Sequence, residues 1–288
     1  MTLLPEARSV SFDAPARDIL ARIGTLEVRL ATSPAQIRAA LALRYRVFCE
    51  EMGARPTGVL DQYRLETDSF DAQCDHIIVC DKALTGLDGQ PLVVGTYRAL
   101  RPEKAINGHY AQSGFDVAPL LARHAHLRFC ELGRSCVAKS HRGKSTLDVL
   151  WCGLWAYACL YRIDVFFGSA SFPGSDGARH RLSLGLLHNL AVQKDWEVYA
   201  HKETEMPMNQ TVPRKADTRA ALRAMPPLIR GYLKVNAIFG RSAHTDTAFD
   251  TTDVMVITRL NAIPAPFRRR FIAVTGRDLV SAQAVKEP

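Results

Sequence analysis

The spacing of apolar residues changes several times along this chain, and each change predicts an element. Leu26, Val28 and Leu30 alternate with Glu27 and Arg29, the period of a half-buried strand. Ser33-Pro34-Ala35-Gln36 then opens a helix, because serine caps, proline suits the first helical position and glutamine three residues on completes a capping box. That helix is expected to run to about Met52, followed by a loop of acidic and turn-forming residues over 53–73. His76 to Asp81 and Leu92 to Leu100 predict two strands joined as a hairpin through Gly86, Asp88 and Gly89. A fourth strand, Phe129 to Val137, leads through a basic loop into a helix from about Lys144 to Tyr161, and Val165 to Ala170 predicts a fifth strand. Ala178 to Leu190 and Pro227 to Phe239 have helical spacing, Val254 to Thr258 that of a strand, and Glu203 to Asp217, with Pro207 and Pro213, that of a linker or lid. Residues 1–24 show no sustained period. The expected organisation is a flexible leader to residue 24, an α/β core over 25–202 with a central mixed sheet flanked by helices, an extension over 203–275 packing on it, and a tail over 276–288.

Composition narrows the classes. The chain has 288 residues, 47% hydrophobic and 23% charged, which excludes a disordered, collagen-like or coiled-coil protein. A formal net charge of +8 points to an acidic partner, and nucleic acid, an anionic membrane surface and an acidic carrier protein all answer to it. Nucleic acid lacks its usual signatures here, a zinc pattern or an aromatic RNP-type strand. The seven cysteines contain no Cys-x-x-Cys pair, so reduced thiols in a cytoplasm are expected and no metal set. Met1 to Glu6 carry no secretory leader pattern. The longest uncharged apolar run, Val149 to Tyr161, has thirteen residues. A membrane-spanning helix needs about 20. Any membrane contact is therefore expected to be peripheral.

The first helix carries an anomaly. At about 100° per residue from Ile37, Leu41 lies near 40°, Phe48 near 20° and Arg44 near −20°, so Arg44 falls within the apolar stripe while Arg46 lies opposite, in solvent. A guanidinium there needs a carboxylate or a cleft open to water. Further charges stand where a core prefers none: Arg98 among Val94, Thr96 and Leu100, and Glu131 and Arg134 in the fourth strand. With Asp68 and Asp71 from the acidic loop, the set has three positive and three negative charges and can persist partly buried.

The segments Leu43-Arg44-Tyr45-Arg46-Val47-Phe48, Asp68 with Asp71, Gly95-Thr96-Tyr97-Arg98, and Glu131 to Val137 resemble, in order and spacing, the acyl-homoserine-lactone synthases. That family has the GNAT acyltransferase fold. No tryptophan follows Phe48 and the chain is longer, which argues against lactone formation. From about residue 26 to 275 the chain is more similar to the bacterial ornithine-acyl-carrier-protein N-acyltransferases, through Arg44 to Gly53, Cys74-Asp75-His76, Gly168 to Phe172, Pro226-Pro227-Leu228, Gly231-Tyr232 and Phe249 to Val254. The resemblance implies transfer of a 3-hydroxyacyl chain from acyl carrier protein to the α-amino group of L-ornithine, giving lyso-ornithine lipid. It implies no tightly bound cofactor, the acyl-phosphopantetheine arm being a donor substrate.

Aminolysis of a thioester requires a neutral amine and donors for the developing oxyanion. Glu131, on the central strand, is the expected base, acting directly or through water. Arg98 and Asp68 are placed with it as catalytic residues, and Arg44, Phe48, Asp71, His76 and Arg134 as substrate-binding ones. His76 also reads as a hydrogen-bonded strand histidine. Residues three apart on a regular strand face opposite sides, so Glu131 and Arg134 can share a cleft only across a bulge, expected at Gly133. Lys139, Arg142, Gly143 and Lys144 form a basic loop at a helix start and are the expected seat of the phosphopantetheine phosphate. The Walker-A-like ending Gly143-Lys144-Ser145 lacks the first glycine, which Ala138 replaces. Arg268-Arg269-Arg270 between Phe267 and Phe271 predict a second basic patch, for the carrier or for lipid headgroups.

Overall fold

A computed structural model describes residues 18–279 apart from 57, 87, 88, 191, 192 and 212. The leader before Asp18, most of the tail and Asp88 of the hairpin turn lie outside the described residues. The described strands are β1 (Ile19–Ile23), β2 (Leu26–Leu30), β3 (Val59–Leu60), β4 (Leu65–Glu66), β5 (Asp75–Thr85), β6 (Pro91–Leu100), β7 (Phe129–Val137), β8 (Val165–Pro173), β9 (Glu205–Pro207), β10 (Ile238–Asp246) and β11 (Thr251–Arg259). The helices are α1 (Pro34–Arg44), α2 (Ala118–Arg123), α3 (Lys144–Tyr161), α4 (Arg181–Leu190), α5 (Thr218–Ala224), α6 (Pro227–Lys234) and α7 (Ala265–Thr275). β3 and β4 pair with each other, and the other nine strands form one sheet in the order β1-β2-β5-β6-β7-β8-β11-β10-β9. Every neighbouring pair in it is antiparallel except β7 with β8.

The capping box forms as its residues predict: the Gln36 N–H donates to Ser33 Oγ and the Ser33 N–H to Gln36 Oε1, each at 3.3 Å. The helix does not continue regularly to Met52. It passes after Arg44 into a π-helical turn, Tyr45–Glu51, which rotates Phe48 away from the simple helical wheel. The hairpin, the fourth strand and the long helix stand where their patterns put them. Three expectations are corrected. Residues 19–23 are not leader but strand β1, paired to β2. The helix from Pro227 ends at Lys234, because Asn236 takes a left-handed backbone (φ 62°) and Phe239 lies in the buried start of strand β10. The extension contributes β9, β10 and β11 to the sheet itself, with β11 beside β8.

Alternation puts α3, α4, α6 and α7 over one sheet face. The core there includes Val28, Val79, Leu132, Trp155, Phe172 and Val256. Gly153 lets α3 approach closely, since a Cβ there would lie 2.4 Å from Val28. The opposite face carries α1 over β5 and β6, and the apolar group of Phe115, Phe129, Phe167, Met255 and Ile257 further along.

The parallel pair diverges. β7 and β8 are each nine residues long yet pair only from Phe129↔Val165 to Glu131↔Phe167. Beyond that β7 stays with β6 as far as Val137 and β8 with β11 as far as Pro173. Gly168 marks the parting: its φ is 153° and a Cβ would meet the Leu132 carbonyl oxygen at 2.1 Å.

Candidate active site

Cross-strand register places His76 opposite Arg98 and Leu100 opposite Glu131, so these polar residues share the α1 face with Ile78 and Cys80. Arg134 reaches the same face through the expected bulge, because β6 advances two residues from Thr96 to Arg98 while β7 spends three from Cys136 to Gly133. The strained residue is Arg134 (φ 51°) and not Gly133. A left-handed non-glycine costs about 1–2 kcal/mol. The side chain's own contacts offset that cost. Gly133 instead keeps a small cavity open, with nothing within 4 Å of where its Cβ would lie.

The charges gather as a closed set. Arg44 is 0% exposed and donates through Nε to Glu66 and through its terminal nitrogens to both oxygens of Asp71, at 2.6 and 3.1 Å. Arg98 bonds Asp68 and Asp71, and Arg134 bonds Glu66 at 3.0 Å and Asp68 at 2.9 Å. The guanidinium of Arg134 also lies between two rings, 4.5 Å from the centre of Tyr110 and 4.7 Å from that of Phe249. Phe48 meets Phe249 edge to face at 5.8 Å. Burial by itself would raise the Asp71 carboxyl, but hydrogen bonds and charge from Arg44 and the charge of Arg98 hold it well below the usual carboxylate range. Burial pushes the His76 imidazole down. Its Nε2 lies 3.1 Å from the Asp71 carbonyl oxygen, so it is a neutral donor anchoring the acidic loop.

The cluster does hold three cations and three anions, but its third acid is Glu66. Sequence reasoning passed over Glu66, although it alternates with buried Leu65 only two residues before Asp68. Glu131 stands apart: its carboxylate accepts the N–H of Tyr110 at 2.9 Å and of Ala111 at 2.6 Å, holding the turn Tyr110–Ser113 over the sheet. Between Phe70, Arg98, Tyr110, Glu131 and Gly133 lies a cavity of about 10 Å³, the size of one water. Arg44 and Asp71, both expected to bind substrate, are instead seen bonded to protein partners, Arg44 with no exposed surface and Asp71 partly buried. Tyr110 was passed over, and Phe249 and Asp253 were read only within the segment that carries the resemblance, though all three stand beside this cluster. Asp253, 7% exposed, pairs in register with Ser171 and His244 on this face. Burial pushes its carboxyl up against the hydroxyls of Ser171 and Thr251.

The basic loop after β7 is only partly free. Arg142 donates to the Val137 carbonyl at 3.0 Å and to Glu51, while Lys139 and Lys144 are exposed and Gly143 starts α3. The second patch is mostly spent: Arg268 pairs with Asp278 and Arg270 with Asp148, leaving Arg269 without an ion pair among the described residues. No helix among the described residues is long and apolar enough to cross a membrane.

A family model described as an acetyltransferase (GNAT) domain matches residues 43–152, the stretch from α1 through β7 into α3. An L-ornithine N(alpha)-acyltransferase of Agrobacterium fabrum is 46% identical over 248 residues, covering 85% of this chain and 84% of that protein. Another with the same name, from Rhizobium meliloti, is 44% identical over 267 residues, covering 92% and 90%. Among solved structures, an N-acyl amino acid synthase from uncultured soil microbes aligns over 88% of this chain and 98% of its own, with a TM-score of 0.45 and 11% identity. The mixed sheet flanked by helices is that of a GNAT acyltransferase, and the chain belongs to the L-ornithine N(alpha)-acyltransferase family.

Proposed function

We propose that this enzyme transfers a 3-hydroxyacyl chain from the phosphopantetheine thioester of acyl carrier protein to the α-amino group of L-ornithine, giving lyso-ornithine lipid. The observation that carries the ornithine acceptor is the identity of 46% across 85% of the chain with an L-ornithine N(alpha)-acyltransferase. The parting of β7 and β8 supports the transfer, because two strands that stop pairing with each other beyond Glu131↔Phe167 leave a place between them where an extended thioester arm can lie.

The α-ammonium first gives one proton to solvent; the lone pair of the neutral amine then forms the C–N bond, the nitrogen of the tetrahedral centre gives a second proton to the base, and the centre collapses with the C–S bond breaking. The departing thiolate takes up a proton from solvent. A thiol of ordinary pKa, about 8.5, needs no dedicated acid. Glu131 acts as the base through one water in the cavity beside Arg98. Each carboxylate oxygen has two acceptor sites, and the bonds from Tyr110 and Ala111 use one on each. Arg98 and Asp68 hold this corner, Arg134 and Phe48 line the acceptor side, and Asp71 and His76 fix the loop beneath. Lys139 and Lys144 attract the arm's phosphate at the start of α3, with Arg142 and Gly143 shaping the turn. No tightly bound cofactor takes part. The anionic inner face of a membrane receives the product.

The test is incubation of purified protein with 3-hydroxyacyl-carrier protein and each amino acid in turn, with amide products read by mass spectrometry. N-acylornithine as the dominant product is expected; its absence while another amino acid is acylated overturns the acceptor assignment.

A further inference from the structure

Outside the site, Lys215, Arg219, Arg223 and Arg230 line an open groove together with Thr218 and Leu222. Arg219 and Arg223 are four apart on α5, and Arg230 and Lys234 four apart on α6, so each helix turns a pair of cations the same way. Among the described residues none of Lys215, Arg219, Arg223 and Lys234 meets a carboxylate, and the local acid, Asp217, is taken by Arg214 at 3.1 Å. Among the described residues, Arg230 donates to the Leu222 carbonyl, at 3.4 Å, and forms no ion pair.

The inner faces of these helices show where the groove sits. Tyr232 of α6 places its hydroxyl 3.1 Å from that of Tyr97 on β6, which also bonds Ser135 in the diverging part of β7. The Tyr232 ring meets Trp151 of α3 at 5.1 Å, α6 touches β8, and Ser183 of α4 donates to the Ala221 carbonyl of α5 at 2.8 Å. α5 and α6 therefore roof the space between α3 and α4, above the strands that part. The cations Arg219, Arg223 and Lys234 are exposed while Ala221, Ile229 and Tyr232 of the same helices are buried, so the cations lie on the outer side of that roof.

We propose that the outer face of α5–α6 is the docking surface for an acidic acyl carrier protein, which feeds its prosthetic arm past the roof to the parted strands. The inference rests on the donor assigned above and adds where that donor binds. Charge complementarity selects the occupant: unpaired cations at the rim of a narrow entrance suit an acidic protein surface, with attraction that salt screens.

The test compares the parent with the variant Lys215→Glu, Arg219→Glu, Arg223→Glu and a milder Arg219→Gln, Arg223→Gln pair, using two donors, 3-hydroxyacyl-carrier protein and the same acyl group on free pantetheine. Reversal is expected to raise KM for the carrier substrate about 10-fold or more at low salt and to abolish the parent's salt dependence, with the milder pair between, while KM for ornithine and kcat/KM with acyl-pantetheine stay at parent values. A variant that matches the parent at every salt concentration, or one equally impaired with both donors, overturns the docking surface. So does an unchanged carrier KM accompanied by lost binding to phosphatidylglycerol vesicles, which would assign the groove to a membrane. A parent that accepts no carrier thioester at all rejects the donor assignment instead, a result separate from these.

Discussion

Arg44 and Arg219 are the same residue type in opposite surroundings. Arg44 is fully buried between Glu66 and Asp71, within a set of three arginines and three acids that sums to zero. Arg219 stands in solvent beside other cations, and among the described residues no carboxylate pairs with it. The buried set acts over hydrogen-bond distance and determines shape: it ties α1, the acidic loop and the β7 bulge into one wall. The exposed set determines little of the shape and acts through a field that reaches about 8 Å in physiological salt. Within one molecule, arginine is thus used once for order and once for attraction.

The sharpest way to break this contrast is to remove one cation of each kind. Arg44→Met leaves Glu66 and Asp71 buried beside too few positive charges. Breaking a buried pair from one side costs about 3–5 kcal/mol. Arg219→Met is expected to change stability by less than about 0.5 kcal/mol, as surface substitutions do. Urea unfolding of both variants measures the difference, and equal losses would abolish the distinction.

Next in size, Glu131→Gln tests whether chemistry resides beside the buried cluster. Loss of a general base lowers the chemical step by about 10²-fold or more. Single-turnover rates at neutral pH are the readout, with carrier binding retained; a parent-like rate removes Glu131 from the base role.

The smallest effect is graded with pH. Asp71 is held below the normal carboxylate range, and Asp75 likewise, because Lys104, Tyr157 and Arg101 outweigh its burial. Their contribution to stability is complete above the unfolded carboxylate pKa of about 3.9 and is lost as pH falls below it. Denaturation midpoints from pH 7 to pH 3 are expected to fall in the last unit of that range, less so in Asp71→Asn.

Much of this was legible because period is a local property. The strand Phe129–Val137 and the helix Lys144–Tyr161 coincide with their apolar patterns, and Arg44 announced its need for an acid by standing in an apolar stripe. The β1 strand was not legible, because Ile19–Ile23 alternates weakly and is held by pairing with β2 and packing under α3. The π-helical turn was missed as well, since its extra residue per turn leaves no mark on a 3.6-residue period.

By itself the sequence determined the main strands and helices from Leu26 to Leu190, the family, and the presence of balanced charges on a buried face. Which acid answers which arginine was decided only by tertiary structure. Glu66 reaches Arg44 and Arg134 because the path of a loop brings it under both, whereas Glu131, from a more conspicuous position, is turned to the backbone of Tyr110 and Ala111. The bulge was foreseeable from a spacing of three, yet its strained residue is Arg134, since two carboxylates and two rings stabilise a conformation that Gly133 would have adopted at no cost. Partner choice depends on contacts between segments far apart in the chain, and no local pattern encodes them.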